Sequence, residues 1–233
     1  MLQGVISERI TKKSWEENIK ESIFDPLKMD RSNTSIKEME NAENIAIGYT
    51  ENHMKTDYYK IAGMGPAGSI NSSVNDMSKW LITWLNDGKY NDKEILPQDY
   101  IEEAISSQNV ANPNLPSDEN PGLHLANYGF GWIISSYKGH YRVSHGGNID
   151  GFSASTSLMP SDNIGIVVLA NQDRSIIPSI VQNIIYDRIL ELDETDWIKK
   201  GLDEIKEAKK NQKEVEKNRV SNKKEGTNPS HPI

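Results

Sequence analysis

Between Tyr128 and Asn171 the chain carries four strand-like runs, separated by turn signals only a few residues long. The runs are Tyr128–Tyr137, Tyr141–Asn148, Phe152–Met159 and Ile164–Asn171. Gly139, the pair Asp150-Gly151, and Ser161-Asp162-Asn163 punctuate them, all residue types that tolerate the backbone of a tight hairpin. Gaps of this length make the region an antiparallel meander, because parallel neighbours need long crossovers. Ile164–Asn171 alternates poorly, which fits a strand covered on both faces. An amphipathic helix predicted over Ile176–Leu192 closes over one face of the sheet.

The sequence before the meander is helical and irregular. Leu2, Val5, Ile6 and Ile10 line one face of a helix that breaks at Thr11-Lys12-Lys13. Ser14-Trp15-Glu16-Glu17 reads as a capping box that opens a second helix with Trp15, Ile19 and Ile23, and Pro26 is expected to stop it. Residues 30–62 are polar and irregular, and Gly63–Gly68 forms a tight loop. Ser72-Ser73-Val74-Asn75-Asp76 offers caps for a helix whose Met77, Trp80, Leu81 and Trp84 stripe is core packing, ending near Gly88. A short helix begins at Pro97, and residues 109–122 are a loop. Helices first and a meander after them indicate an α+β fold, with an antiparallel sheet flanked by helices.

Composition removes several function classes. A net charge of −8 argues against nucleic acid as a partner, since phosphates demand a basic face. The basic excess that exists is confined to Lys199–Thr227, a charged tail read as a solvated helix or linker. No apolar run is long enough to span a membrane, and Met1–Ile6 has none of the character of a signal peptide. With no cysteine there are no disulfides or thiolate metal sites, and the five scattered histidines have no metal-ligand spacing, so neither a metal nor any other cofactor is expected.

The chemistry-bearing stretch is Val143-Ser144-His145-Gly146-Gly147-Asn148. His145 places an ionisable imidazole on a strand, and the glycines beside it remove side chains where another molecule could approach. That combination suits the wall of a substrate cleft; a strand histidine hydrogen-bonded for structure is the alternative. His140 and His124 belong to no motif and are surface or strand-edge residues. Asp150 is a turn residue, and Phe152 lines either cleft or core.

Four segments, in order and spacing, resemble the β-lactamase-related serine hydrolases. These are Phe24-Asp25-Pro26-Leu27-Lys28-Met29, with Lys28 where that family usually has glycine; Pro66–Met77, with its serines and Asp76; Tyr128-Gly129-Phe130-Gly131-Trp132; and Ser144-His145-Gly146-Gly147. The resemblance covers residues 1–195 and implies a partial β-lactamase/transpeptidase-like fold. It also implies acylation of a serine by an amide or ester of a small-molecule or peptide substrate. His145 then takes the catalytic position on the cleft strand, Gly146 and Gly147 line the cleft, and the backbone N–H of Asn148 forms half of an oxyanion hole. A titrating histidine in place of the family's lysine speaks against a dedicated β-lactamase.

The same resemblance implies a Ser-x-x-Lys nucleophile and a Tyr-x-Asn phenol, and neither has a convincing match. Ser135-Ser136-Tyr137-Lys138 sits at a strand end, and Ser221-Asn222-Lys223-Lys224 lies in the charged tail. The serine-rich Ser69–Asn75 stretch is explained by capping. The expectation is therefore a chain truncated at both ends. It lacks the N-terminal strands and the nucleophile helix, and residues 196–233 are a linker toward an absent domain. Such a chain is inert alone and complemented by a separate N-terminal piece. A non-catalytic binding module of the same fold is the alternative, and localisation stays open.

Overall fold

The computed structural model describes residues 2–59, 64–117 and 122–221. The tail match at 222–224, the rest of the tail, His231, Gly63 and loop residues 118–121 lie outside the described residues. Two compact units divide the chain, Met1–Gln182 and Asn183–Ile233.

The first unit opens with α1 (Leu2–Thr11) and α2 (Trp15–Ile19). The expected capping box is present: the Ser14 hydroxyl accepts from the Glu17 N–H at 3.2 Å, and the Glu17 carboxylate accepts from the Ser14 N–H at 2.8 Å. The Ser14 N–H and then the Ser14 hydroxyl, both donating to the Glu17 carboxylate, hold that carboxyl below its ordinary value. Pro26 does not stop the helix. A π-helical turn at Lys20–Phe24 precedes α3 (Asp25–Leu27), and Pro26 sits in the first turn of α3, where its missing N–H costs nothing. The stop comes at Lys28, which adopts the left-handed conformation (φ 52°). The segment read as irregular holds a short helix, α4 (Ile36–Glu40), capped by the Ser35 hydroxyl. One further turn, α5 (Gly65–Gly68), leads to α6 (Val74–Leu85), capped by Ser73 as the serines predict.

Asp76 ties these pieces together. It is buried, and its carboxylate accepts from the Arg31 N–H at 2.8 Å and the Ser32 hydroxyl at 2.9 Å, with Lys79 Nζ at 3.0 Å. Both oxygens of this buried carboxylate thus find donors, one of them a cation, which is the condition for keeping it there.

After α6 comes a hairpin of β1 (Lys89–Tyr90) and β2 (Lys93–Glu94), then α7 (Gln98–Ala104). The sheet follows as β3 (Asn109–Val110), β4 (Ala126–Tyr128), β5 (Ile133–Tyr137), β6 (His140–Ile149), β7 (Phe152–Met159) and β8 (Ile164–Ala170). All six strands pair antiparallel in sequence order. The predicted turns behave as their residues dictate. Lys138-Gly139 and Asp150-Gly151 both take positive φ at their two positions, matching the twist of two-residue hairpins. Asn163 (φ 53°) ends the β7–β8 turn.

Two expectations need correction here. The run Tyr128–Tyr137 is two strands, folded back at Gly129–Trp132. A side chain at Gly129 would collide with the carbonyls of Ala104 and Ser106, and Gly131 has φ 78°, so the backbone turns where aromatic content suggests extension. Part of the 109–122 loop is β3, paired with β4.

One sheet face, through Val143 and Leu158, packs with Trp132 on Leu81 and Trp84 of α6 and on Ile101 and Ala104 of α7. Trp84 meets Trp132 edge to face with centroids 5.1 Å apart. The helix after the sheet, α8 (Ile177–Ile189), shares its first residues with this unit, and the Ser155 hydroxyl on the opposite sheet face donates to Gln182 Oε1 at 3.3 Å. In the second unit α9 (Trp197–Ser221) follows α8, with the Trp197 indole donating to Asp187 at 2.7 Å. No described helix is long and apolar enough to cross a membrane.

Gly88 closes α6 with φ 87°, and a Cβ there would strike the Leu96 carbonyl oxygen. Gly88→Ala is expected to lower stability by about 2 kcal/mol or more, read as a reduced midpoint in urea at unchanged slope. A wild-type midpoint would contradict this packing.

Candidate functional site

Strand β6 is part core and part exposed surface. Its pairing with β7 runs without a bulge from Val143↔Leu158 to Ile149↔Phe152. In an unbroken ladder alternate residues share a face, so Val143, His145, Gly147 and Ile149 point the same way. Val143 is fully buried, while His145 and the residues after it are exposed. The core therefore ends between these two positions, and the same face continues outward as an open surface.

On that surface the imidazole of His145 has two partners. Its Nδ1 lies 2.7 Å from the carbonyl oxygen of Gly146, and its Nε2 lies 3.3 Å from the hydroxyl of Tyr128. The two rings stand edge to face at 6.3 Å. Tyr128 ends β4, two strands away, and reaches His145 past β5. The contrast with Tyr141 is informative: that phenol is pushed up by burial and donates to the Ile105 carbonyl, a structural role.

The two glycines are not equivalent. A Cβ on Gly147 would meet nothing within 4 Å, so the space above it is free. A Cβ on Gly146 would stand 3.2 Å from the Ala154 carbonyl oxygen, on the other face. Gly147 shares the exposed face of His145, whereas Gly146 is crowded by the neighbouring strand.

Asn148 carries a function that its sequence position did not reveal. Its side-chain oxygen accepts from the Ser153 hydroxyl and from the Arg174 N–H at 3.1 Å. Ser153 also accepts from the Ser175 N–H at 2.9 Å. The amide side chain thus pins the loop after β8 to the end of the cleft strand. A four-residue search for motifs has no means of finding this, because the partners lie 5 and 26 residues downstream.

Beyond Asn148 the turn is gripped by the 47–59 segment. The Asp150 carboxylate accepts from the Tyr59 N–H at 2.9 Å, the Tyr49 N–H donates to the Gly151 carbonyl at 3.2 Å, and Phe152 stacks on Tyr58 at 6.1 Å. Asp150 is a turn residue with an added tethering role. His140 pairs with Asp162 at 2.9 Å at the far end of β6, and His124 meets Ser136 through its backbone.

Ser135, the serine of the 135–138 Ser-x-x-Lys match, is buried in β5 with its oxygen accepting from Arg142 Nε at 3.2 Å. It pairs across the ladder with Arg142, which by alternation lies on the face opposite Val143 and His145. Lys138 sits in the hairpin turn. The match does not assemble with His145. No three histidines or carboxylates among the described residues are grouped to hold a metal ion.

The beta-lactamase family model matches residues 1–183. The chain is similar to Protein flp of Staphylococcus aureus, 29% identical over 189 residues, which cover 78% of this chain and 34% of that protein. It spans about a third of the length of the curated relatives it matches. Among solved structures, the octameric penicillin-binding protein homologue from Pyrococcus abyssi superposes with a TM-score of 0.69 at 26% identity, covering 82% of this chain and 41% of that one. The class C beta lactamase from Rhodobacter sphaeroides shares the fold, with a TM-score of 0.61 at 18% identity over 82% of this chain and 57% of that one.

Removing the Asn148 acceptor strands the Arg174 N–H, while the Ser153 hydroxyl keeps the Gln172 carbonyl at 2.7 Å. Asn148→Ala is expected to cost about 1 kcal/mol in chemical denaturation, and His145→Ala, at an exposed position, less than about 0.5 kcal/mol. The reverse order would show that His145 and not Asn148 carries the structural load.

Proposed function

The chain belongs to the beta-lactamase family, and we propose that it supplies the cleft strand of an acyl-transfer site that cleaves an amide or ester through an acyl-serine intermediate. One observation carries the reading: His145 is exposed on the outward continuation of a core face, with unobstructed space above Gly147 two residues on. An imidazole so placed can take or give a proton as the tetrahedral intermediate forms and collapses. The free volume over Gly147 admits the scissile group. The Asn148 N–H, just beyond the glycines, is the candidate donor to the oxyanion. The substrate is a small molecule or a peptide.

Acylation requires a serine hydroxyl on the His145 face, and Ser135 is turned to the other. The nucleophile in this reading comes from a separate N-terminal piece bearing Ser-x-x-Lys and Tyr-x-Asn. The orientation of Ser135 also favours a second reading, in which the chain is a non-catalytic module that binds ligand at the same cleft.

The chain alone is expected to be inert toward a chromogenic cephalosporin and p-nitrophenyl esters. Co-expression with the N-terminal piece restores ester turnover, and His145→Ala then lowers kcat about 100-fold. Saturable turnover by the chain alone, abolished by Ser135→Ala, would overturn this assignment. A soluble monomer that melts cooperatively and gains no activity on complementation would favour the non-catalytic module.

A further inference from the structure

The contacts of His145 fix its proton. A carbonyl oxygen has lone pairs only, so the 2.7 Å approach of Nδ1 to the Gly146 carbonyl places the hydrogen on Nδ1. In the neutral ring Nε2 is then the bare nitrogen, and the group 3.3 Å away is the Tyr128 hydroxyl, which must donate to it. The imidazole therefore has neither nitrogen free. The atom of the pair with unused lone pairs is the phenol oxygen, and Tyr128 is 37% exposed.

From this geometry we infer that Tyr128 and His145 act as one proton-handling pair, in which the phenol oxygen of Tyr128 is the member presented to the reacting group. The inference rests on the acyl-transfer reading above. An attacking hydroxyl, of a serine or of water, loses its proton to Tyr128 Oη while the phenol's own proton moves to His145 Nε2. The hydroxyl oxygen forms its bond to the acyl carbon, and the imidazolium left behind neutralises the charge gained by the tetrahedral oxyanion. As that intermediate collapses, Nε2 returns its proton to the phenol oxygen, and the phenol passes one to the departing amine or alcohol. No atom or charge is left over at the end of the cycle. The Gly146 carbonyl has the orienting role: by holding Nδ1–H it keeps Nε2 directed at the phenol.

Two measurements test the pair. The first uses the isolated chain with 15N-labelled histidine, the His145 signals being identified by their loss in His145→Ala. At alkaline pH His145 is expected as the Nδ1–H tautomer, and Tyr128→Phe moves its Nε2 resonance while the melting curve stays that of wild type. An Nε2–H tautomer in the wild-type chain, which needs no variant to detect, overturns the inference. So does an Nε2 resonance that Tyr128→Phe leaves in place. The second uses the complemented protein and a p-nitrophenyl ester. Tyr128→Phe is expected to lower kcat about 10- to 100-fold with KM little changed. The double variant Tyr128→Phe/His145→Ala should fall no further than the more damaged single variant, because the two residues act as a unit. Losses that multiply, or a Tyr128→Phe protein as fast as wild type, overturn the pair. No turnover in the complemented wild type, with the Nδ1–H tautomer intact, assigns the failure to the acyl-transfer reading and removes the proton step with it.

Discussion

Seven consecutive residue pairs between β6 and β7 decide where the side chains of residues 143–149 point. Side chains alternate along a strand, so register and direction are the same variable. A slip of one residue would carry Val143 out of the core and turn His145 to the opposite face. Two hairpin turns hold the register, Lys138-Gly139 at one end of the strand and Asp150-Gly151 at the other, each demanding positive φ at both positions. The apolar contacts of Val143 and Leu158 with α6 add the energetic preference, since only one register buries them. The position of the imidazole is thus a consequence of where the apolar residues of the same strand go.

Polar groups do the rest of the fixing, at places where burial alone would leave freedom. Asp76 joins the Met29–Ser32 turn to the start of α6 through donors from a backbone amide, a hydroxyl and an ammonium. Asn148 does the same between the end of β6 and the loop preceding α8. Both are short side chains that accept at least one hydrogen bond from a donor far away in sequence. Hydrogen bonds of this kind add little net stability but penalise misalignment, because a buried or half-buried group left without its partner is costly.

The meander was legible because its information is local. Turn residues at hairpin spacing and the serines before α6 each specify a conformation within a few residues, and the structure has them where expected. Errors arose where a local rule had a distant competitor. Gly129 through Trp132 reads as strand from its aromatic content, yet the chain turns there because the carbonyls of Ala104 and Ser106 crowd Gly129. Pro26 reads as a terminator, but the π-helical turn before it resets the register so that proline falls in a first turn. In the site, His145 and its glycines were visible as a pattern along one strand. Tyr128 was visible only as part of a family-like segment, and its contact with His145 crosses β5 and joins residues 17 apart. The side chain of Asn148 was invisible for the same reason.

Gly147 differs from the molecule's other constrained glycines in a way that bears on how such a cleft diversifies. Its backbone has no positive φ, and a Cβ added to it would touch nothing. Folding therefore sets no demand on this position, and in the proposed acyl-transfer site its size matters only to what binds there. Side chains of increasing size at residue 147 would narrow the opening in graded steps without disturbing the packing beneath Val143. Under the proposed function, selectivity for the bulk of a guest molecule and integrity of the scaffold fall on separate residues of a single strand, four positions apart.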